Sequence, residues 1–261
     1  MGDLHRGKPD CRSLKFLRRF KMIKEKQSIV YWTVVSFDQI SADDLSWLSK
    51  QEKQHYETFR FTKRRDEWLM GRWAAKKLLG SAYPSFNAVR MDEISILNEP
   101  SGSPYVLVYG IRVPGVLSIT HREGMACAAW VSDAAIKIGI DLEFVETKPD
   151  IFINDYFTAE ESQQVFATTE PHRALAASLV WSVKESLLKA LQTGLRVDTR
   201  EVAVSISSFE TSEQWRSIRV SRCAKHTGFV NAAWRSIGDF VLTCAALGEC
   251  ALDRPLLFQQ V

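Results

Sequence analysis

Two short stretches hold side chains whose types and spacing suit chemistry. In Gly139-Ile140-Asp141-Leu142-Glu143, strand alternation puts Asp141 and Glu143 on one face and Ile140 and Leu142 on the other. Adjacent carboxylates repel unless protons or a cation lie between them. Such an oxygen-rich pair suits Mg²⁺, which takes one or two carboxylates together with waters and substrate phosphate. The same pair can also stand on a solvated edge strand. In Trp181-Ser182-Val183-Lys184-Glu185-Ser186-Leu187-Leu188-Lys189-Ala190-Leu191, Val180, Val183, Leu187 and Leu191 share the core side of a helix. Glu185 lies opposite them, and Lys189, one turn on at i+4, projects with it. Trp181 and Leu188 flank Glu185 and would keep its surroundings partly dry. A surface Glu–Lys pair worth ~0.3–0.5 kcal/mol is the plain alternative.

The two stretches together change the weighing. Asp141 and Glu185 are 44 positions apart, and Gly-Ile-Asp-Leu-Glu followed by Trp-Ser-x-Lys-Glu-Ser-x-x-Lys resembles the double signature of the Sfp-type 4′-phosphopantetheinyl transferases. Other segments resemble the same family in the same order, from about residue 29 to 247. Lys63-Arg64-Arg65-Asp66-Glu67-Trp68 with Gly71-Arg72 is similar to its basic helix. Gly102-Ser103-Pro104 is similar to its G-K-P turn, with Ser103 in place of lysine. Ser118-Ile119-Thr120-His121 is similar to its (N/S)-(I/V/L)-S-H strand, with Thr120 in place of serine, and Phe157-Thr158-Ala159-Glu160-Glu161 to its F-x-x-x-E segment.

The resemblance implies a large monomeric enzyme. It would move the 4′-phosphopantetheine arm of coenzyme A to a serine of an apo acyl or peptidyl carrier protein, releasing adenosine 3′,5′-bisphosphate. By similarity, Asp141, Glu143 and Glu185 would hold Mg²⁺, or Mn²⁺ in its place, against the pyrophosphate. Glu185 would take the serine proton and Lys189 would stabilise charge on the transferred phosphate. Lys184 stays open between a phosphate ligand and a solvated lysine. Thr120 and His121 would bind coenzyme A, His121 at its 3′-phosphate. Lys63, Arg64, Arg65 and Arg72 offer cations for the same group, though not all of the arginines need bind. The Gly102-Ser103-Pro104 turn would hold the adenine through backbone groups. A non-catalytic relative that binds coenzyme A or a carrier protein is the alternative, against which the complete carboxylate set argues.

These residues need elements to position them. Ile29 to Val35 is β-branched and aromatic and predicts a strand. Ser41-Ala42-Asp43-Asp44 predicts an N-cap opening a helix toward residue 56, and 63–79 a second helix ended by Pro84 and Asn87. Residues 98–104 predict a turn. Strands follow at 116–120, 125–131 and 136–142, helices near 159–167 and 172–192, then strands at 202–207, 217–220, 230–234 and 240–246. This order predicts an α+β fold of two similar halves rather than a doubly wound sheet. The resemblance adds a pseudo-twofold between them. The expected division is a basic, flexible extension at 1–27, one half at 28–145 and another at 146–261. No sequence self-similarity is read between the halves.

Composition agrees with a globular protein. The 261 residues are 46% hydrophobic and 25% charged, which excludes collagen-like and disordered classes. Residues 1–26 carry nine basic and three acidic side chains, +6, leaving −3 for the rest of the net +3. Leu14, Leu17, Phe20 and Ile23 suggest an amphipathic basic helix, for which targeting, polyanion binding or a dispensable extension before Met22 are the readings, the last preferred. A nucleic-acid partner ranks low, because no aromatic-basic motif is interleaved in the core. The apolar runs are too short to span a bilayer, the N-terminus lacks a secretory pattern, and five cysteines without CxxC spacing fit a reducing compartment. The expectation is a cytoplasmic monomer.

Overall fold

The computed structural model describes residues 12, 16, 29–40, 44–170, 172–248 and 257–261. Three sheets and two long helices dominate. β1 (Ile29–Ser36), β5 (Val116–Arg122), β6 (Met125–Val131) and β12 (Leu257–Gln260) form a first sheet in the order β12-β1-β6-β5. β7 (Lys137–Phe144), β8 (Val202–Ser205), β9 (Arg216–Cys223), β10 (Phe229–Ile237) and β11 (Phe240–Gly248) form a second, β7-β11-β10-β9-β8. β2 (Ile94–Asn98), β3 (Pro104–Val108) and β4 (Ile111–Arg112) make a small third sheet. The helices are α1 (Lys50–Tyr56), α2 (Thr62–Ala82), α3 (Pro84–Asn87), α4 (Asp150–Tyr156), α5 (Ala159–Phe166) and α6 (His172–Ala190).

Strand alternation builds the layers. On β1, Tyr31 and Val35 face a core shared with Leu69, Leu78 and Leu79 of α2. Val30 and Trp32 face the other way, into a core shared with Ile138, Ile140, Leu142, Leu242, Cys244 and Ala246 of the second sheet. The opposite face of that sheet, with Val241, Ala245 and Leu247, packs on Leu179, Val183 and Leu187 of α6. The order of layers is therefore α2, sheet, sheet, α6, with apolar side chains filling each gap. At the site the two sheets meet along β5 and β7. There the hydroxyls of Ser118 and Thr120 accept from the backbone N–H groups of Ile140 and Leu142 at 3.0 and 3.3 Å.

The halves repeat one buried polar hub. In the first, Ser49 caps α1 and Glu52 closes the capping box. The Glu52 carboxylate also accepts from Lys76 Nζ at 2.6 Å and from the backbone N–H of Ile96 at 2.9 Å. In the second, Thr158 caps α5, Glu161 closes the box, and its carboxylate accepts from Lys184 Nζ and the backbone N–H of Val204, both at 2.8 Å. Lys76 lies in Trp73-Ala74-Ala75-Lys76 and Lys184 in Trp181-Ser182-Val183-Lys184. The central strands likewise share Cys127-Ala128-Ala129 and Cys244-Ala245-Ala246. Sequence self-similarity between the halves therefore exists, short and spread out, and it falls where side chains are buried.

Several elements differ from expectation. The first short helix begins at Lys50 under a Ser49 cap, not after residue 44, where the chain makes turns; Ser41, Ala42 and Asp43 lie outside the described residues. β2, β3, β4, α4 and the parallel pairing of β12 with β1 have no counterpart in the expected pattern. β7 precedes residue 145 yet pairs with β11 throughout its length. Of residues 1–27, only Arg12 and Phe16 are described. Phe16 is buried against Phe86 and Tyr109, with ring centroids at 5.1 and 6.5 Å. Cys127, Cys223 and Cys244 are buried and free; Cys11 and Cys250 lie outside the described residues. Among the described residues, no helix is long and apolar enough to cross a membrane.

Candidate functional site

β7 and α6 bring the two signature stretches face to face. Gly139 makes this possible: a Cβ there would sit 1.9 Å from the Ser186 carbonyl oxygen and 2.7 Å from the Ala190 nitrogen. Only glycine lets α6 lie so close on the strand. From Leu175 to Ala190 every residue of α6 is buried except Trp181, Glu185 and Lys189. These recur at i, i+4 and i+8 and so form the single partly open strip of the helix.

Asp141 is buried beneath this strip. Its Oδ1 accepts from Lys189 Nζ at 2.6 Å and from Thr120 Oγ1 at 3.1 Å, and its Oδ2 from Ser182 Oγ at 2.8 Å. Thr243, opposite Asp141 in the strand register, donates to the Ser182 carbonyl at 2.9 Å. The alternative of a surface pair between Glu185 and Lys189 gives way to this cross-element ion pair, because the lysine reaches down onto β7. Lys189 also donates to the Ile140 carbonyl at 3.2 Å, and an ammonium has three donors, so one is left for a ligand.

Glu143 lies 3.5 Å from Lys148 Nζ and 3.9 Å from Arg122 Nε. Both cations reach Glu146 as well, at 2.8 and 2.7 Å. Burial, and then the charge of Asp141, push the Glu143 carboxyl above its ordinary range. Burial also pushes Glu185 up, with Lys189 opposing and Asp141 and Glu143 adding to the rise. The Glu185 side chain makes no hydrogen bond or ion pair with any described residue. The three carboxylates thus feel one another's charge. Among the described residues, however, no three His, Cys, Asp or Glu side chains close around one point. Mg²⁺ keeps much of its water and needs only one or two carboxylates beside substrate phosphate. The donor chemistry of Asp141, Glu143 and Glu185 fits that cation as an open site, not as a cage of three protein ligands.

Two cavities flank β5. The larger, about 1000 Å³, is lined by Lys63, Arg64, Arg72, Asn98, His121 and aromatic residues including Phe61, Trp68 and Tyr105. The smaller, about 240 Å³, is lined by Ser101, Gly102, Ser103, Pro104, Lys189 and Gln192 among others. Ile119 borders both. Arg72 is only 8% exposed, stacks over Trp68 at 4.6 Å, and has a buried Nε with no hydrogen-bond partner. Burial pushes its pKa down to about 10. A buried cation without a carboxylate is costly, so the cavity is electrostatically ready for an anion. Burial, and the charges of Lys189 and Arg72, hold His121 below its ordinary pKa, opposed by Glu67 and Asp141.

The expected site residues divide accordingly. Asp141, Glu143, Glu185, Lys189 and Thr120 come together at the β5–β7–α6 junction. Lys63, Arg64, Arg72 and His121 line the larger cavity, and Gly102, Ser103 and Pro104 the smaller. Arg65 lines neither: it lies 5.3 Å over the Tyr56 ring, 4.0 Å from Asp66. Lys184 is the clear correction. It is fully buried, bound to Glu161 and to the carbonyls of Thr199 and Val202 at 2.9 and 2.5 Å, and reaches no phosphate site. A helix covered on two sides buries residues that simple amphipathic spacing assigns to solvent. Ser182, Thr243, Arg122 and Lys148 were missed. For Ser182 the signal was its place inside the second stretch; the others are brought in by register and by the loop after β7.

Comparison with known proteins agrees with this geometry. Residues 137–245 match the model of the 4′-phosphopantetheinyl transferase superfamily. The chain is 25% identical over 153 residues to a 4′-phosphopantetheinyl transferase of Paxillus involutus, covering 51% of this chain and 58% of that protein. It is 35% identical over 74 residues to a holo-acyl-carrier-protein synthase of Petrotoga mobilis, covering 28% and 60%. It is 36% identical over 83 residues to the synthase of that name from Lactococcus lactis subsp. cremoris, covering 31% and 70%. The chain thus spans somewhat under two thirds of the first two relatives. With the paired signature facing itself across β7 and α6, and with these identities, the chain belongs to the 4′-phosphopantetheinyl transferase superfamily.

Proposed function

We propose that this protein transfers the 4′-phosphopantetheine arm of coenzyme A to a serine of an apo acyl or peptidyl carrier protein, and that the reaction depends on Mg²⁺. The observation that carries the reading is the meeting of Asp141, Glu143, Glu185 and Lys189 beside a cavity lined by Lys63, Arg64 and Arg72, none of which has an ion-pair partner among the described residues. Arg72, His121, Lys63 and Arg64 bind the 3′-phosphate end of coenzyme A in the larger cavity. The 101–104 turn holds the adenine side, and the pyrophosphate lies toward Lys189. Asp141, Glu143 and Glu185 are the side chains that would hold Mg²⁺, which when bound would neutralise charge on the pyrophosphate as it is cleaved.

The chain's own residues do the rest. Glu185, raised by burial and unpartnered, takes the proton of the carrier serine. The serine oxygen bonds to the β-phosphorus as its bond to the bridging oxygen breaks, and adenosine 3′,5′-bisphosphate leaves. Lys189, fixed on Asp141 and the Ile140 carbonyl, turns its remaining donor to the phosphate whose charge grows. Ser182 and Thr120 hold Asp141 in place beneath it.

Mass measurement tests this. After incubation with coenzyme A, Mg²⁺ and a panel of apo carrier proteins, one carrier is expected to gain the mass of a single phosphopantetheine arm, and excess chelator is expected to prevent it. No gain on any carrier, with coenzyme A still bound, would instead establish a non-catalytic binding protein.

A further inference from the structure

We propose that Asn98 is a positioning residue that fixes Arg72 and the 99–103 turn in one geometry for the phosphorylated ribose of coenzyme A. The inference rests on the reading of the larger cavity given above. Asn98 ends β2 and lines the larger cavity, while the turn that follows it lines the smaller. Its amide acts in two directions. Oδ1 accepts from Arg72 Nη2, and Nδ2 donates to the Gly102 carbonyl at 2.6 Å. Gly102, at φ 94°, sits in the left-handed region, where a side chain is disfavoured. Its carbonyl is held from inside the turn by Asn98, while Arg112 binds Glu99 on the outside.

The choice of a neutral amide has a chemical reason. Arg72 has no ion-pair partner among the described residues, so its charge is available to a ligand. An amide oxygen orients the guanidinium without cancelling that charge. A carboxylate at the same position would pair with it and oppose an incoming phosphate. The turn itself carries Ser103 and no lysine, so its contribution to a phosphate is positional. Asn98 therefore couples the placement of a remote cation to that of the turn, while touching none of the groups placed at the reacting phosphorus.

Calorimetric binding of coenzyme A and of dephospho-coenzyme A to the full chain tests this, alongside kcat and KM on a carrier that accepts the arm. The parent is expected to prefer coenzyme A. Asn98→Ala should weaken coenzyme A about tenfold and dephospho-coenzyme A much less, since hydrogen bonds to charged groups carry roughly that factor. Asn98→Asp, which keeps an acceptor but adds charge, should lose at least as much of the preference. Asn98→Asp, which keeps an acceptor for the buried Arg72, should keep the thermal midpoint, and both variants should keep kcat within about twofold, as losses of uniform binding do. An undiminished preference in both variants overturns the role of Asn98 and leaves the cavity assignment standing. A parent that does not distinguish the two ligands overturns the cavity assignment and the inference with it.

Discussion

Asp141 and Glu185 carry like charges in contrasting surroundings, and their replacements should part company in stability. Asp141 satisfies Lys189, Ser182 and Thr120 from a buried position. Asp141→Ala should nearly abolish transfer and also cost ~1–3 kcal/mol, because buried donors lose their acceptor. Glu185 has no partner among the described residues and is held in an environment that disfavours its charge. Glu185→Ala should remove activity with no loss of thermal midpoint. Thermal melts beside the mass assay check both; a midpoint that falls equally in the two variants would refute the distinction. His121 makes a pH prediction. Its pKa lies below the usual 6.5, so the imidazole is neutral at pH 8 and gains charge only toward acid. Only the charged form adds attraction for phosphate. The KM for coenzyme A of His121→Gln should match the parent's at pH 8 and exceed it increasingly as the pH falls below 6. A ratio independent of pH would exclude a titrating contact.

Two lysines of α6 show how one element assigns opposite roles. Lys184 is enclosed with Glu161, whereas Lys189 lies on the open strip over Asp141. Lys184→Met strands a buried carboxylate and should cost ~3–5 kcal/mol, leaving the KM for coenzyme A of the folded fraction unchanged. Lys189→Met should instead lower kcat by ~10²–10³-fold at saturating coenzyme A. Chemical denaturation and steady-state kinetics separate the two. A normal kcat in Lys189→Met would remove it from the chemistry. The spacing of apolar residues along α6 reports the face toward β7 and β11, but α5 and β8 cover a second side. The sequence pattern of a helix with two covers understates its burial.

At the scale of the molecule, the described residues nearest either end of the chain are anchored in the fold. The backbone N–H of Val261 donates to the Trp32 carbonyl at 3.0 Å, and Phe258 stacks on Trp215 at 4.5 Å, so the C-terminal strand closes the β1 edge. Near the other end, Phe16 is buried in the first core. A chain beginning at Met22 loses that side chain, whose burial is worth ~1.5–3 kcal/mol. Its thermal midpoint should fall by about 2–4 °C for each kcal/mol lost, while its kcat stays near the parent's, since no proposed site residue lies before residue 29. An unchanged midpoint would show that Phe16 contributes nothing to the folded core. The expectation that the whole segment can be removed without loss followed from its lying before the first core strand and outside the proposed site, and Phe16 in the first core argues against it.

The sequence by itself determined which residues could carry chemistry. Glycine beside an alternating acidic strand, and an i, i+4 acid and base on a helix, are local patterns set by backbone period, and both survive as written. It also determined the order and nature of most strands and helices, because apolar periodicity is local too. Only the tertiary structure decided partners: Lys189 with Asp141 rather than Glu185, Lys184 with Glu161, Asn98 with Arg72, and Ser182 with Thr243. Each joins residues of different elements at least 23 positions apart. Which of several cations an acid meets depends on strand register and layer spacing, and those are settled by packing of side chains from both halves rather than by any stretch of chain alone.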